Sequence, residues 1–414
     1  MYWNNLQKII FRFGCCYIFL FTMSNQFLLS FAIEPIWQKI APWFAATFLN
    51  LEKEITVFTN GSGDTTYNYV CLLLYILLSI IITVVWSILD RRRKNYNYLL
   101  QWLLVLVRYY ILYQMIIYGL AKLFYLQFQP PSHARLVQAY GDSSPMGILW
   151  TFMGQSKGYT IFAGAGELIS GLLLISRRTT TLGALVAAGV MANVMAMNFF
   201  YDVPVKILSS HLVLLSLFLL ALDGKRLLNL FFFNKNAEPK IYPPYFENIK
   251  LEKIKITIKW LLVIVGLGYT VNGTLESSKI YGPAAPKPAL HGLYEVETFE
   301  RNGDTIPPLI TDETRWKRFI VDWKDRAEIH AMTGQKQYYS FEKDSVDSFI
   351  KVTHHRDTAM NDTLYFFEPD SAQFVLEGIF KGDTLKVSFL KKKKEDFLLR
   401  NRHFRWINEY PFNR

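Results

Sequence analysis

Cysteine is scarce in this 414-residue chain: there are three, Cys15, Cys16 and Cys71, and all sit in apolar runs. None forms a C-x-x-C pair, and residues 277–414 have none. A disulfide framework is therefore excluded there, a dithiol redox centre is not supported, and the three thiols read as small packing residues. Histidine is sparse inside the apolar runs as well. His211 alone lies in one, so a haem between two facing histidines lacks its ligands. His354 and His355 are adjacent, no H-x-x-x-H or H-E-x-x-H spacing occurs, and no metal is expected. Walker and Rossmann glycine patterns are missing too, which removes the common nucleotide-binding loops.

A net charge of +11 resembles a nucleic-acid signature until it is divided. Residues 277–414 carry 22 Lys+Arg against 21 Asp+Glu, and residues 1–276 carry 23 against 13. The excess lies in short segments beside apolar runs, where it orients helices and meets lipid headgroups, so no nucleic acid is expected as a partner.

Hydrophobic residues make up 51% of the chain and crowd into residues 11–275. A bilayer core takes roughly 20 apolar residues in a helix. Seven spans are expected, at about 11–32, 69–89, 99–124, 159–176, 180–199, 206–223 and 258–275, the last interrupted by Gly266 and Gly268. Basic residues fall in every second connector: Lys8 and Arg12, then Arg91–Lys94, then Arg177 and Arg178, then Lys225 through Lys255. That places the N-terminus in the cytoplasm and the C-terminus outside a cytoplasmic (inner) membrane. The first span lacks a clear small-x-small cleavage site and reads as an uncleaved anchor. Ala184, Ala188, Ala192 and Ala196 recur every four residues, and Gly164, Gly166 and Gly171 thin the preceding span, both as close-packing faces.

Two groups of polar residues lie at membrane depth. Arg108 is nine residues from Leu99 and Glu167 nine from Ser176, so on antiparallel spans they should meet as an intramembrane ion pair. Lys122, Gln127, Asn198, Tyr201, Asp202, Lys206 and His211 should gather at the outer ends of three spans, where they could hold a quinol or a lipid headgroup. The outer loop 125–158 has its own helix starts at Ser132 and at Ser144-Pro145, and Tyr140 and Trp150 suit the membrane interface. These features divide the chain into a transmembrane helical domain over 1–276, a Pro-rich linker over 277–288 and an extracytoplasmic domain over 289–414. In the last, short alternating runs between turns such as Asn302-Gly303 and Lys381-Gly382 imply an antiparallel barrel or sandwich. The fold class is thus a polytopic α-helical membrane bundle with a C-terminal β-rich domain.

Tyr118-Gly119-x-x-Lys122, Gln127-Phe128, the run Tyr140–Gly147 and Asn198-x-x-x-Asp202-Val203-Pro204-Val205-Lys206 resemble bacterial DoxX-like membrane proteins, with a core over roughly 99–226. The ending Trp406–Arg414 is similar to that of longer members with an added outer domain. The resemblance implies an accessory membrane protein. It would bind a quinone, quinol or other lipophile, with a membrane redox system as its partner. No other cofactor is evident. A remoter likeness to the membrane part of vitamin K-dependent carboxylases implies an enzyme with Lys122 or Lys206 as base. A third reading is a scaffold whose outer domain docks an extracytoplasmic protein.

Overall fold

A computed structural model describes residues 3–413 except 26, 28, 29, 52–54, 56, 58–60, 243, 289, 344–348, 355, 356 and 369–372. His355 lies outside the described residues, and so does the side chain of His354. The helices, in chain order, are α1 (Asn5–Ser24), α2 (Ser30–Phe48), α3 (Thr66–Leu89), α4 (Asn97–Leu123), α5 (His133–Leu136), α6 (Pro145–Gln155), α7 (Lys157–Leu173), α8 (Thr180–Phe200), α9 (Lys206–Ala221), α10 (Gly224–Phe231), α11 (Ile249–Tyr281) and α12 (Leu398–Asn401). They divide between two compact units, one of residues 1–127 with 158–277 and one of residues 128–157 with 278–414.

In the first unit, α1, α3, α4, α8 and α11 are long and apolar enough to cross a bilayer. α9 and α10 count as a sixth only if taken together, and they are bent by 81°. α7 is 17 residues long and falls just short. Whole faces of these helices stay exposed, including Ile80, Ile81, Val84 and Ile88 on α3 and Leu261, Leu262, Ile264 and Val265 on α11. Apolar patches of that extent belong in lipid, not water.

Three sequence expectations are corrected here. The single first span over 11–32 is two helices, α1 and α2, because Asn25 turns its Nδ2 onto the Phe21 carbonyl (2.7 Å) and ends α1. α11 runs unbroken through Gly266 and Gly268 and on to Tyr281, past the expected linker start at 277. A helix in lipid tolerates glycine, since leaving the helical path would strand backbone groups without water. The buried face of α8 is Gly183, Ala184, Ala187 and Met191, while Ala192 is exposed.

The second unit is built on a closed meander. Strands β1 (Gly292–Arg301), β2 (Asp304–Thr305), β3 (Trp316–Trp323), β4 (Arg326–Ala331), β5 (Lys336–Lys343), β6 (Phe349–His354), β7 (Asp357–Phe367), β8 (Gln373–Phe380) and β9 (Asp383–Lys392) form one antiparallel sheet. β2 is a two-residue strand paired only to the end of β1. The other eight strands close into a barrel through β1 and β9, from Leu293↔Lys392 to Arg301↔Leu385. Asn302 (φ 53°) and Gly303 (φ 88°), like Lys381 (φ 53°) and Gly382 (φ 86°), take the left-handed pair that a two-residue hairpin turn requires. Alternate residues fill the interior: Phe299, Trp316, Phe319, Phe374 and Phe389 are buried, and Phe374 stacks on Phe389 at 4.7 Å. Eight strands leave an interior just wide enough for such side chains.

Residues 128–157 belong with the barrel. Ser132 caps α5 and Ser144 caps α6, with Pro145 at its first position. Phe128 packs edge-on against Trp150 at 5.1 Å, and the Gln155 side chain bonds the Leu399 carbonyl in α12.

Candidate functional site

α4 and α7 touch backbone to backbone. A Cβ built on Gly164 would lie 2.7 Å from the Lys122 Cβ and 2.9 Å from the Gly119 carbonyl. This contact lets Lys122, in the last turn of α4, place its Nζ 2.8 and 2.7 Å from the two oxygens of Glu167. Both side chains are buried, at 4% and 2% exposure, and the Tyr118 ring lies 5.7 Å from the ammonium. Glu167 thus pairs with Lys122 and not with Arg108. The expected register counted inward from assumed span ends, and the true register differs by two helical turns: Arg108 faces Leu174, seven residues beyond Glu167. Its Nε and Nη2 donate to the Leu174 carbonyl (3.2 and 2.9 Å), and Nη2 also donates to that of Ile175 (3.0 Å). These are unsatisfied C-terminal carbonyls of a helix, at the negative end of its dipole.

The outer-end residues meet different neighbours. Asn198 donates to the Ser209 hydroxyl (3.0 Å) and the Val205 carbonyl (3.3 Å), closing the α8–α9 turn. Asp202 and Lys206 form an exposed ion pair at 2.8 Å, and Tyr201 is exposed beside them. Asp64, which sequence reasoning did not single out, accepts from the Lys206 and Ile207 N–H groups (2.6 and 3.0 Å) at the start of α9. His211 bonds the Tyr17 hydroxyl through Nε2 (2.7 Å) and the Ile207 carbonyl through Nδ1, and stacks on Phe21 at 3.8 Å. Gln127 keeps its Oε1 buried and unpartnered among the described residues. Lys122 and Lys206, the two base candidates, each hold a carboxylate.

A long groove lies elsewhere in the same unit. A groove of about 1800 Å³ runs between α4 and α11 and reaches the α7–α8 turn. Its long wall is apolar, with Leu112, Tyr113, Ile116 and Ile117 facing Leu262 and Val263 across it. One end is cationic. Arg108, Arg177, Arg178, Lys255 and Lys259 line the groove, and Glu252 is the carboxylate among the lining residues. These groups are tied together: Lys259 Nζ is 3.4 Å from the Ile175 carbonyl that Arg108 also uses. Arg177 and Lys255 both stand over the Tyr245 ring, at 4.4 and 4.5 Å. Along α11 a Cβ on Gly266 or Gly273 would meet open space.

No protein-family model matches the chain, and no solved structure does. The chain is similar to the uncharacterized protein YwoB of Bacillus subtilis (strain 168), at 32% identity over 124 residues, which are 30% of this chain and 79% of the relative. The chain belongs to the family of YwoB. With YwoB uncharacterized, that kinship brings no activity, and the functional argument rests on the groove.

Proposed function

We propose that the chain is an accessory membrane protein that holds an anionic lipid in the α4–α11 groove. The acyl chains lie along the apolar wall. The headgroup meets Arg108, Arg177, Arg178 and Lys259. The observation that carries this reading is the pairing of a long greasy wall with five cations and one carboxylate at its end. The volume exceeds the roughly 300–1,000 Å³ of pockets for drug-sized ligands, and suits a molecule with long chains. A quinone, the ligand class of the DoxX resemblance, would use the wall and leave the cations without a role.

Each Lys or Arg near anionic lipid contributes about 1 kcal/mol, so Arg177→Ala with Arg178→Ala should lower retained anionic phospholipid by about thirtyfold. Lipids extracted from the purified protein and quantified by mass spectrometry check this. Gly266→Trp, which fills the groove, should remove all tightly held lipid and leave the fold intact. Zwitterionic lipid at bulk proportions in every variant would end the proposal, and a stoichiometric quinone would replace the lipid with the other ligand class.

The basic connectors support a cytoplasmic location for the cationic end and an extracytoplasmic one for the barrel. The count agrees if α1, α3, α4, α7, α8, α9 and α11 all cross. An alkaline phosphatase reporter fused after Arg414 should then be active, and a fluorescent protein fused there should stay dark when exported through the general secretory route.

A further inference from the structure

We propose that His133, His291 and Asp322 form a binding site for a divalent, zinc-class cation in the barrel unit. The three come from separate places. His133 opens α5 behind its Ser132 cap, Asp322 is near the end of β3, and His291 directly precedes β1. Their ligand atoms all lie within 4.8 Å of one another.

Two of the groups are already organised. The Asp322 carboxylate accepts from the His133 N–H (3.0 Å), the Ala134 N–H (2.9 Å) and the His133 ring Nδ1 (2.8 Å). Burial alone would raise this carboxyl, but the bonds from His133 and Ala134 hold it down at about 2, so it is an anion. A histidine–carboxylate hydrogen bond explains His133 and Asp322 but not His291. The His291 ring stands 5.0 Å from that of His133 at 69°, and its Nδ1 is shielded from solvent with no hydrogen-bond partner among the described residues. A buried polar atom left unpaired costs about 1–3 kcal/mol, and a metal would satisfy it. The nearby Lys394 turns its Nζ to the Pro131 carbonyl (3.1 Å).

The donor set identifies the class of ion. Two imidazoles with one carboxylate suit zinc, and three protein ligands leave the fourth tetrahedral position open for water. With bonds of about 2.0–2.2 Å, donors around zinc stand roughly 3.4 Å apart, so side-chain rotations of about 1 Å close the site. The His133–Asp322 hydrogen bond then gives way to two metal bonds, with the ring hydrogen moving to Nε2. Bound metal would tie α5 to β1 and β3, fastening residues 128–157 to the barrel.

The test uses the full chain, purified without a histidine tag, stripped with chelator and titrated with zinc alone. One zinc per chain is expected. His291→Ala, which removes no hydrogen bond at Nδ1, should weaken binding by more than the roughly 10–100-fold that loss of an outer-shell partner costs. His330→Ala, a buried histidine bonded to Glu328, should leave zinc binding unchanged. Cobalt alone should give the visible absorption of a four-coordinate site, lost in Asp322→Asn. Wild-type protein that takes up no stoichiometric zinc, or a His291→Ala variant that binds as wild type does, overturns the proposal.

Discussion

Replacing Lys122 with methionine should destabilise the helical unit by about 3–5 kcal/mol, the cost of leaving one member of a buried ion pair without its partner. Glu167 is 2% exposed, and both of its oxygens accept from the one ammonium group. Without Lys122 the carboxylate must either stay charged in a dry site or take up a proton. Glu167→Met strands the lysine in the same way. The double variant behaves differently, because it removes both charges and leaves apolar volume between two helices that already touch. Replacing a whole buried pair with apolar side chains is often neutral or stabilising. The cycle should therefore show two large single effects and a small double one, read from thermal unfolding in detergent micelles. Equal single and double losses would mean that the pair itself is net stabilising and that stranding one charge adds no further cost.

The sequence carried the helix starts and hairpins because their signals are local. Ser132, Ser144-Pro145, Asn302-Gly303 and Lys381-Gly382 each act within four residues, and each appears where its chemistry placed it. The apolar runs likewise announced their helices. Register was not legible. Which residue on α4 faces Glu167 depends on where two glycines allow the closest approach, and Gly119 and Gly164 fix that point independently of the span ends. α2 was hidden by Pro35 and Pro42 within it and by Glu34 and Lys39 along it. β6 carries a weak signal too, since Ile350 and Val352 are its buried apolar residues among those described, in a stretch flanked by charge.

The sites were harder still, for a geometrical reason. The cationic end of the groove joins residues 108, 177 and 259, and the histidine cluster joins 133, 291 and 322. No short motif spans such separations. What could have been noticed is that His133 follows a capping serine, so that the fold fixes its ring beside a helix N-terminus, where an aspartate is welcome. The polar residues of the α8–α9 turn were visible for the opposite reason: Asn198, Tyr201, Asp202 and Lys206 lie close in sequence, and Asp202 pairs with Lys206 across one helical turn.

Glycine substitutions distinguish the packing that holds α4 to α7 from ordinary helix propensity, because two of them should act with opposite signs. Gly164→Ala adds a methyl group where 2.6 Å separates it from Leu123 Cδ1, 2.7 Å from Lys122 Cβ and 2.9 Å from the Gly119 carbonyl. The last of these is backbone and cannot rotate away, so the helices must part. Overpacking of this kind costs about 1–3 kcal/mol, and the parting also lengthens the Lys122–Glu167 contact, so the loss should reach the upper end of that range or pass it. Gly189→Ala on α8 is the counterpart, since its Cβ meets nothing within 4 Å. There the ordinary helix preference for alanine should stabilise by about 0.5–1 kcal/mol. Thermal unfolding of both variants in the same detergent checks the signs. In the background without the ion pair, Gly164→Ala should keep its steric cost and shed the electrostatic part, and the difference measures how far the lysine depends on close contact between α4 and α7.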